Sequence, residues 1–191
     1  MKLPEPHVVC WSPLWSPRHI GQGLEQVRLT ESSADSMLLA FDEDGTPFRL
    51  TYRLNWDGQG RLLAADLEAA KGARITSLQL RSDGNGRWQD AQGARLGQLD
   101  GCIDIDIWPT PLTNSFPLWR SPLQLGQRKE FLMAWVAAPD LTVEAKRQAY
   151  TRLADRLNLF ESLDGSGFKA ELPVDERGLV TDYPSLFKRV S

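Results

Sequence analysis

Residues 100–120 read DGCIDIDIWPTPLTNSFPLWR. The stretch opens on Asp100-Gly101, a hairpin-type turn pair. Strict alternation follows, with Ile103, Ile105 and Ile107 pointing one way and Cys102, Asp104, Asp106 and Trp108 the other. The period of two predicts a β-strand whose polar face sets two carboxylates beside a flat indole. That combination suits a polyol such as a sugar, because carboxylates accept hydroxyl hydrogen bonds and an indole covers the apolar side of a ring. A proline-punctuated loop then carries Thr110, Thr113, Asn114 and Ser115 and closes on Trp119 and Arg120. This is more polar chemistry than a connector needs.

The same alternation recurs along the chain. Phe48, Leu50, Tyr52 and Leu54 face one way against Arg49, Thr51 and Arg53, and Phe168, Ala170, Leu172 and Val174 alternate with Lys169, Glu171 and Pro173. Residues 131–137 are apolar on both faces, as in a central, doubly covered strand. Asp-Gly pairs at 44–45, 57–58, 83–84, 100–101 and 164–165 punctuate these runs. The expected fold is mostly β (α+β): a long antiparallel meander curled into a barrel or roll. One main helix is expected at about 142–157. Thr142 would cap it, Glu144 would sit in its first turn, and Val143, Tyr150, Leu153, Ala154 and Leu157 would form its buried stripe. Without a Pro/Gly/Ser linker, residues 1–191 are read as a single domain.

Composition narrows the function classes. The chain has 41% hydrophobic and 25% charged residues, ordinary for a globular protein. A net charge of −3 with mixed signs argues against nucleic acid as a partner, since phosphate binding needs a basic stripe. Seven tryptophans suit either a packed core or an aromatic-lined cavity. Cys10 and Cys102 form no disulfide framework, which fits a reducing, cytoplasmic setting. Pro4, Glu5 and Pro6 occupy the place of a signal-peptide core, so no signal peptide is expected, and no run reaches the roughly 18 apolar residues of a membrane span. His7 and His19 sit in a Pro-rich stretch read as coil and belong to no nucleophile arrangement; no phosphate loop, dinucleotide fingerprint or Cys/His cluster is present, so neither metal nor cofactor is expected.

Several polar residues are candidates. Asp104 and Asp106, at i and i+2 of one strand, lie about 7 Å apart on one face. That spacing fits a divalent cation, an acid/base pair, acceptors of sugar hydroxyls, or simply the solvent side of a strand. Glu25 shares its strand face with Val27 and Leu29, so it is either paired, with Arg53 or Arg81, or raised in pKa. Arg53, Arg81 and Arg120 are the cations available to compensate inward carboxylates. Thr113 and Asn114 either turn the loop or read a ligand hydroxyl. Tyr183 precedes Pro184 and so is held in extended backbone, packing on the core or covering a ligand. Trp88, after the turn at 83–86, is a candidate rim aromatic.

The run TPLTNSFPLWR, preceded by the DIDI strand, resembles the signature of the putative glycolipid-binding family of bacteria, formerly a domain of unknown function. Matching pieces span nearly the whole chain: Gly23-Leu24-Glu25, Tyr52-Arg53, Asp83-Gly84 with Gly86 and Trp88, Trp135-Val136 with Pro139 and Leu141, Tyr150 with Arg152, Val174-Asp175, Gly178-Leu179-Val180 and Asp182-Tyr183-Pro184. Trp119 stands where the family tends to show the first of two arginines, so the resemblance implies no two-arginine anion clamp here. It does imply a mostly β, barrel-like fold with a loose likeness to bacterial lipoprotein carriers, and a glycolipid as ligand. The residues themselves point to a polar head plus an apolar wall. The leading expectation is therefore a soluble binding protein for a small amphiphile with a sugar-like or other polar head. Its binding residues would be Glu25, Arg53, Arg81, Trp88, Asp104, Asp106, Trp108, Thr113, Asn114, Trp119, Arg120 and Tyr183. The alternative is a hydrolase acting on glycosides or lipids, with the carboxylates as acid and base, and a third is an interaction module with its aromatics exposed.

Overall fold

The structure, a computed structural model, describes residues 6–191. The signal-peptide reading rests chiefly on residues 1–5 and lies outside the described residues. The chain first lays down β1 (His7–Pro13), β2 (Leu24–Leu29), β3 (Ser33–Phe41), β4 (Pro47–Trp56), β5 (Leu62–Lys71), β6 (Arg74–Ser82) and β7 (Trp88–Asp90). Next come β8 (Asp104–Trp108), the short helix α1 (Ser115–Arg120), β9 (Arg128–Ala137), β10 (Thr142–Ala154), β11 (Leu157–Ser162) and β12 (Lys169–Pro173). β13 (Asp182–Tyr183) and β14 (Phe187–Arg189) end the order.

Two sheets result. The larger runs β13-β14-β1-β2-β3-β4-β5-β6-β7 and the smaller, a curled half-barrel, runs β12-β11-β10-β9-β8. The protein is mostly β, as the alternation predicts. β3 and β4 bury every second residue, and Phe48, Leu50, Tyr52 and Leu54 form the inner face of β4. The Asp-Gly pairs at 44–45, 57–58, 83–84 and 164–165 fall between consecutive strands, and the pair at 100–101 lies just before β8. His7, read as coil, instead begins β1 and pairs with Leu29.

Two expectations need correction. The larger sheet is an antiparallel meander, but β8 pairs with β9 in parallel. A parallel pair needs a crossover of about a dozen residues or more. Residues 109–127 provide it, folding through a 3-10 turn at Leu112–Asn114 into α1. The loop expected there is thus partly helical. The helix expected at 142–157 is instead β10, a long strand paired along one edge with β9 and along the other with β11. Its sequence, TVEAKRQAYTRLA, is rich in helix formers, but two neighbouring strands satisfy its backbone groups on both sides, and tertiary pairing overrides propensity. Its consecutive buried residues Gln148, Ala149 and Tyr150 show no helical period.

One apolar core joins both sheets. Val27, Leu38, Leu50, Leu54 and Leu80 from the larger sheet meet Ile105, Ile107, Val136, Tyr150 and Leu172 from the smaller one. Phe116 of α1 is fully buried and lies edge-on to Trp56, with ring centroids 5.3 Å apart. Each such fully buried Leu or Phe side chain contributes roughly 1.5–3 kcal/mol. β9 is an interior strand, paired on both edges by β10 and β8, as its apolar run predicts, yet Leu132, Trp135 and Ala137 are only half-buried, so its cover is incomplete. That gap positions the site. Cys10 and Cys102 are both buried and free. Among the described residues no helix is long and apolar enough to cross a membrane.

Candidate functional site

A cavity of about 290 Å³ opens on the inner face of the smaller sheet. Strand register explains who lines it. Asp106 of β8 pairs with Trp135 of β9, Gln148 of β10 pairs with Ser162 of β11, and Tyr150 pairs with Phe160, so alternate residues of neighbouring strands share one face. Lys146 and Gln148, two apart on β10, stand on that face with Asp106 and Trp108, two apart on β8. The rest of the lining is mostly apolar: Ile107, Phe160, Phe168, Tyr183, Leu186 and Phe187. Ring contacts fix it, with Phe160 6.2 Å from Tyr183 and Phe168 6.3 Å from Tyr183. Trp108 is held by Trp15 at 5.4 Å, and Trp15 in turn packs on Phe187 at 5.0 Å.

The polar end is a directed hydrogen-bond chain. The Ile107 backbone N–H donates to Thr113 Oγ1 at 3.1 Å, and that hydroxyl donates to Asp106 Oδ1 at 3.0 Å. Gln148 Nε2 donates to the other oxygen, Oδ2. Removal from water raises the Asp106 carboxyl above its usual range, while the Gln148 and Thr113 hydrogen bonds and the Lys146 charge oppose that rise. The Lys146 ammonium sits 3.3 Å from the centre of the Trp135 ring and 3.4 Å from Glu144. Asn114 reaches the cavity while its Nδ2 donates to Tyr150 OH at 3.0 Å. At the mouth, the β11–β12 turn brings Asp164 and Ser166; hydrogen bonds from Ser166 lower the Asp164 carboxyl to about 2.

Behind this wall lies Glu25, wholly buried on β2 with Val27 and Leu29 beside it, as its sequence phase predicts. Its partners are neither Arg53 nor Arg81 but three hydroxyls. Tyr52 OH donates at 2.7 Å and Ser36 Oγ at 3.0 Å to Oε1, and Thr110 Oγ1 donates at 2.9 Å to Oε2. No salt bridge to Glu25 forms among the described residues. Burial raises its carboxyl to about 7, against the lowering effect of the three hydroxyls. Thr110 itself lines the cavity, so Glu25 is one hydroxyl away from it.

The expected residues thus separate. Asp106, Trp108, Asn114 and Tyr183 line the cavity, Thr113 lies directly behind Asp106, and Glu25 lies behind Thr110. The others lie elsewhere. Asp104, 1% exposed, shares the Asp106 face but is bound by Arg120, whose Nη2 donates to Oδ2 at 2.6 Å and Nε to Oδ1 at 3.0 Å; this is a structural ion pair. Trp119 turns toward Trp56 and Phe116, its Nε1 donating to Arg177 O at 2.7 Å. Gly178 allows that approach, since a Cβ there would stand 2.9 Å from Trp119 Nε1. Trp88 is no rim aromatic: it is fully buried and donates to Cys102 O at 2.7 Å. Arg53 and Arg81 occupy the outer, solvated face of the larger sheet, paired with Asp35 at 2.8 Å and Asp66 at 2.7 Å. The polar phase of those strands is the outside.

The sequence reading missed Lys146, Gln148, Trp135 and the turn at 162–168. Lys146 and Gln148 were hidden by the helix assignment, under which they fall about 200° apart instead of on one face. Trp135 was absorbed into an apolar run. The signal that would have found them is the pairing of β10 with β9, which places Lys146 beside Met133 and Gln148 beside Phe131.

Comparison with known proteins agrees with this architecture. A crystal structure of a DUF1089 family protein from Pseudomonas aeruginosa superimposes with a TM-score of 0.86 at 47% sequence identity, over 88% of this chain and 92% of that one. No curated protein matches the sequence. The profile of the family described as "Putative glycolipid-binding" matches residues 12–189, and the chain belongs to that family.

Proposed function

We propose that the protein is a single-domain container for a small amphiphile, a glycolipid or a lipid with a comparable polar head, held in the cavity of the smaller sheet. The observation that carries this reading is the division of one cavity between two chemistries. Asp106, Asn114, Lys146, Gln148 and Ser162 line it together with the apolar Phe160, Phe168, Tyr183, Leu186 and Phe187. Ligand sites pair an apolar lining with a few placed polar groups, and pockets of roughly 300 Å³ and upward are the usual size. A volume of about 290 Å³ takes a head and the first part of a chain, with the remainder leaving through the mouth. The family description supports a sugar-bearing lipid. Two buried free cysteines support a reducing, cytoplasmic compartment. The hydrolase alternative loses Asp104 from its set of acid/base carboxylates, because Asp104 is committed to Arg120.

Native mass spectrometry of freshly purified protein, followed by solvent extraction, tests the reading. A stoichiometric amphiphile that leaves on extraction and rebinds is the expected result. Apo protein that takes up no glycolipid or other amphiphile at micromolar to millimolar concentration refutes it.

A further inference from the structure

Gln148 is only 3% exposed, lines the cavity, and leaves its Oε1 without a hydrogen-bond partner among the described residues. A buried, unpaired amide oxygen carries an uncompensated desolvation cost. Its orientation is set, because Nε2 donates to Asp106 Oδ2, which turns Oε1 away as a free acceptor. Asp106 is itself acceptor-only as a carboxylate, its known donors being Thr113 and Gln148. The two groups therefore form an acceptor pair at the polar end, beside the indoles of Trp108 and Trp135.

Charge narrows the choice further. Asp106 and Asp164 repel an anionic head; Lys146, on the Trp135 face of the same cavity, repels a cationic one. An uncharged head that presents adjacent donors meets no like charge from either side. Resting on the container reading above, we infer that Gln148 Oε1 and Asp106 together take neighbouring ring hydroxyls of a neutral glycosyl head, and that Gln148 is the residue that makes the cavity select such a head over charged ones.

The test uses four octyl amphiphiles of one chain length, each below its micelle concentration, with calorimetric titration into the full chain: octyl β-glucoside, octyl β-galactoside, octyl sulfate and octyltrimethylammonium. At least one glycoside is expected to bind tenfold or more tightly than both charged amphiphiles. Gln148→Leu, which removes the unpaired Oε1 together with the Nε2 bond to Asp106 and keeps a similar size, is expected to lower glycoside affinity about tenfold or more, and to leave the charged amphiphiles much less affected. Should the variant not fold, monodeoxy octyl glycosides on the wild-type protein supply the same comparison: loss of one ring hydroxyl should cost about tenfold, and loss of another should cost much less. Equal binding of all four amphiphiles, or tighter binding of a charged one, overturns the inference and leaves the container reading standing. Binding of none overturns both.

Discussion

Glu25 gives this protein a pH dependence opposite in sign to that of an ion-paired carboxylate. In the fold its carboxyl titrates at about 7 against an ordinary value of 4.5, because burial outweighs its three hydroxyl donors. The native state therefore holds the proton more tightly than the unfolded chain. Below pH 4.5 both states are protonated and the contribution to stability is complete; it is lost as pH rises through the window from 4.5 to 7, and stays lost above it. One pKa unit corresponds to 1.36 kcal/mol, so the whole window is worth about 3 kcal/mol, most of which falls between pH 5 and pH 8. Glu25→Gln keeps the volume and the capacity to bond hydroxyls but removes the titration. Urea denaturation of wild type and variant at both pH values isolates Glu25, because every other group is common to the two proteins. The wild type is expected to lose about 2–3 kcal/mol relative to the variant between pH 5 and pH 8, on the order of 5–10 °C in Tm for a chain of this size. A stability gap that changes by less than about 0.5 kcal/mol between the two pH values refutes the reasoning.

Three further outcomes are expected. Arg120→Met leaves Asp104, 1% exposed, without its cation and should cost about 3–5 kcal/mol by urea denaturation, whereas the double variant with Asp104→Leu should recover most of that loss. Gly23→Ala should cost about 2 kcal/mol or more, since Gly23 has a φ of 127° and a Cβ there would stand 2.3 Å from Leu39 O; a loss under 0.5 kcal/mol in the same melts would count against that geometry. Trp88→Phe removes the indole donor to Cys102 O and should lower stability by about 1–3 kcal/mol while leaving amphiphile affinity unchanged, so a large affinity loss in the titrations would restore Trp88 to the site.

What the sequence revealed, and what it hid, follows from the range of the physics involved. β4 was legible because its alternation and its flanking Asp-Gly turns are local, and Glu25 was legible because its phase beside Val27 and Leu29 already placed it inside. Asp104 and Asp106 were indistinguishable in sequence, two residues apart on one strand. Only the crossover decides between them: it returns Arg120 to Asp104 and Thr113 to Asp106, making one carboxylate structural and leaving the other at the cavity. Arg53 and Arg81 failed for a related reason, since alternation defines two faces without saying which is inside. β10 was misread because Glu144, Ala145, Lys146, Arg147 and Gln148 favour a helix locally, and the strands that override that preference lie elsewhere in the chain. With it went Lys146 and Gln148, the residues that give the polar end its character.

The acids of this protein sort by how they are compensated, and the sorting follows the cavity. On the outside, Glu130 bonds Arg128 and Arg147, and Glu68 bonds Arg49, exposed pairs whose loss costs little. Inside, Asp104 has a bidentate arginine, but Glu25 and Asp106 have only neutral donors. Apolar side chains in place of the last two would remove a desolvation cost, so packing alone does not account for their presence. Both lie against the segment 106–114, Glu25 through Thr110 and Asp106 through Thr113, and both reach the cavity within one hydrogen bond. The unsatisfied Gln148 oxygen belongs to the same cluster. An acceptor left without a donor destabilises the unliganded fold, and a ligand hydroxyl that supplies the missing donor reverses that cost on binding. Binding should therefore raise stability through the Gln148 oxygen that now lowers it, and Gln148→Leu together with the glycoside titrations measures that linkage.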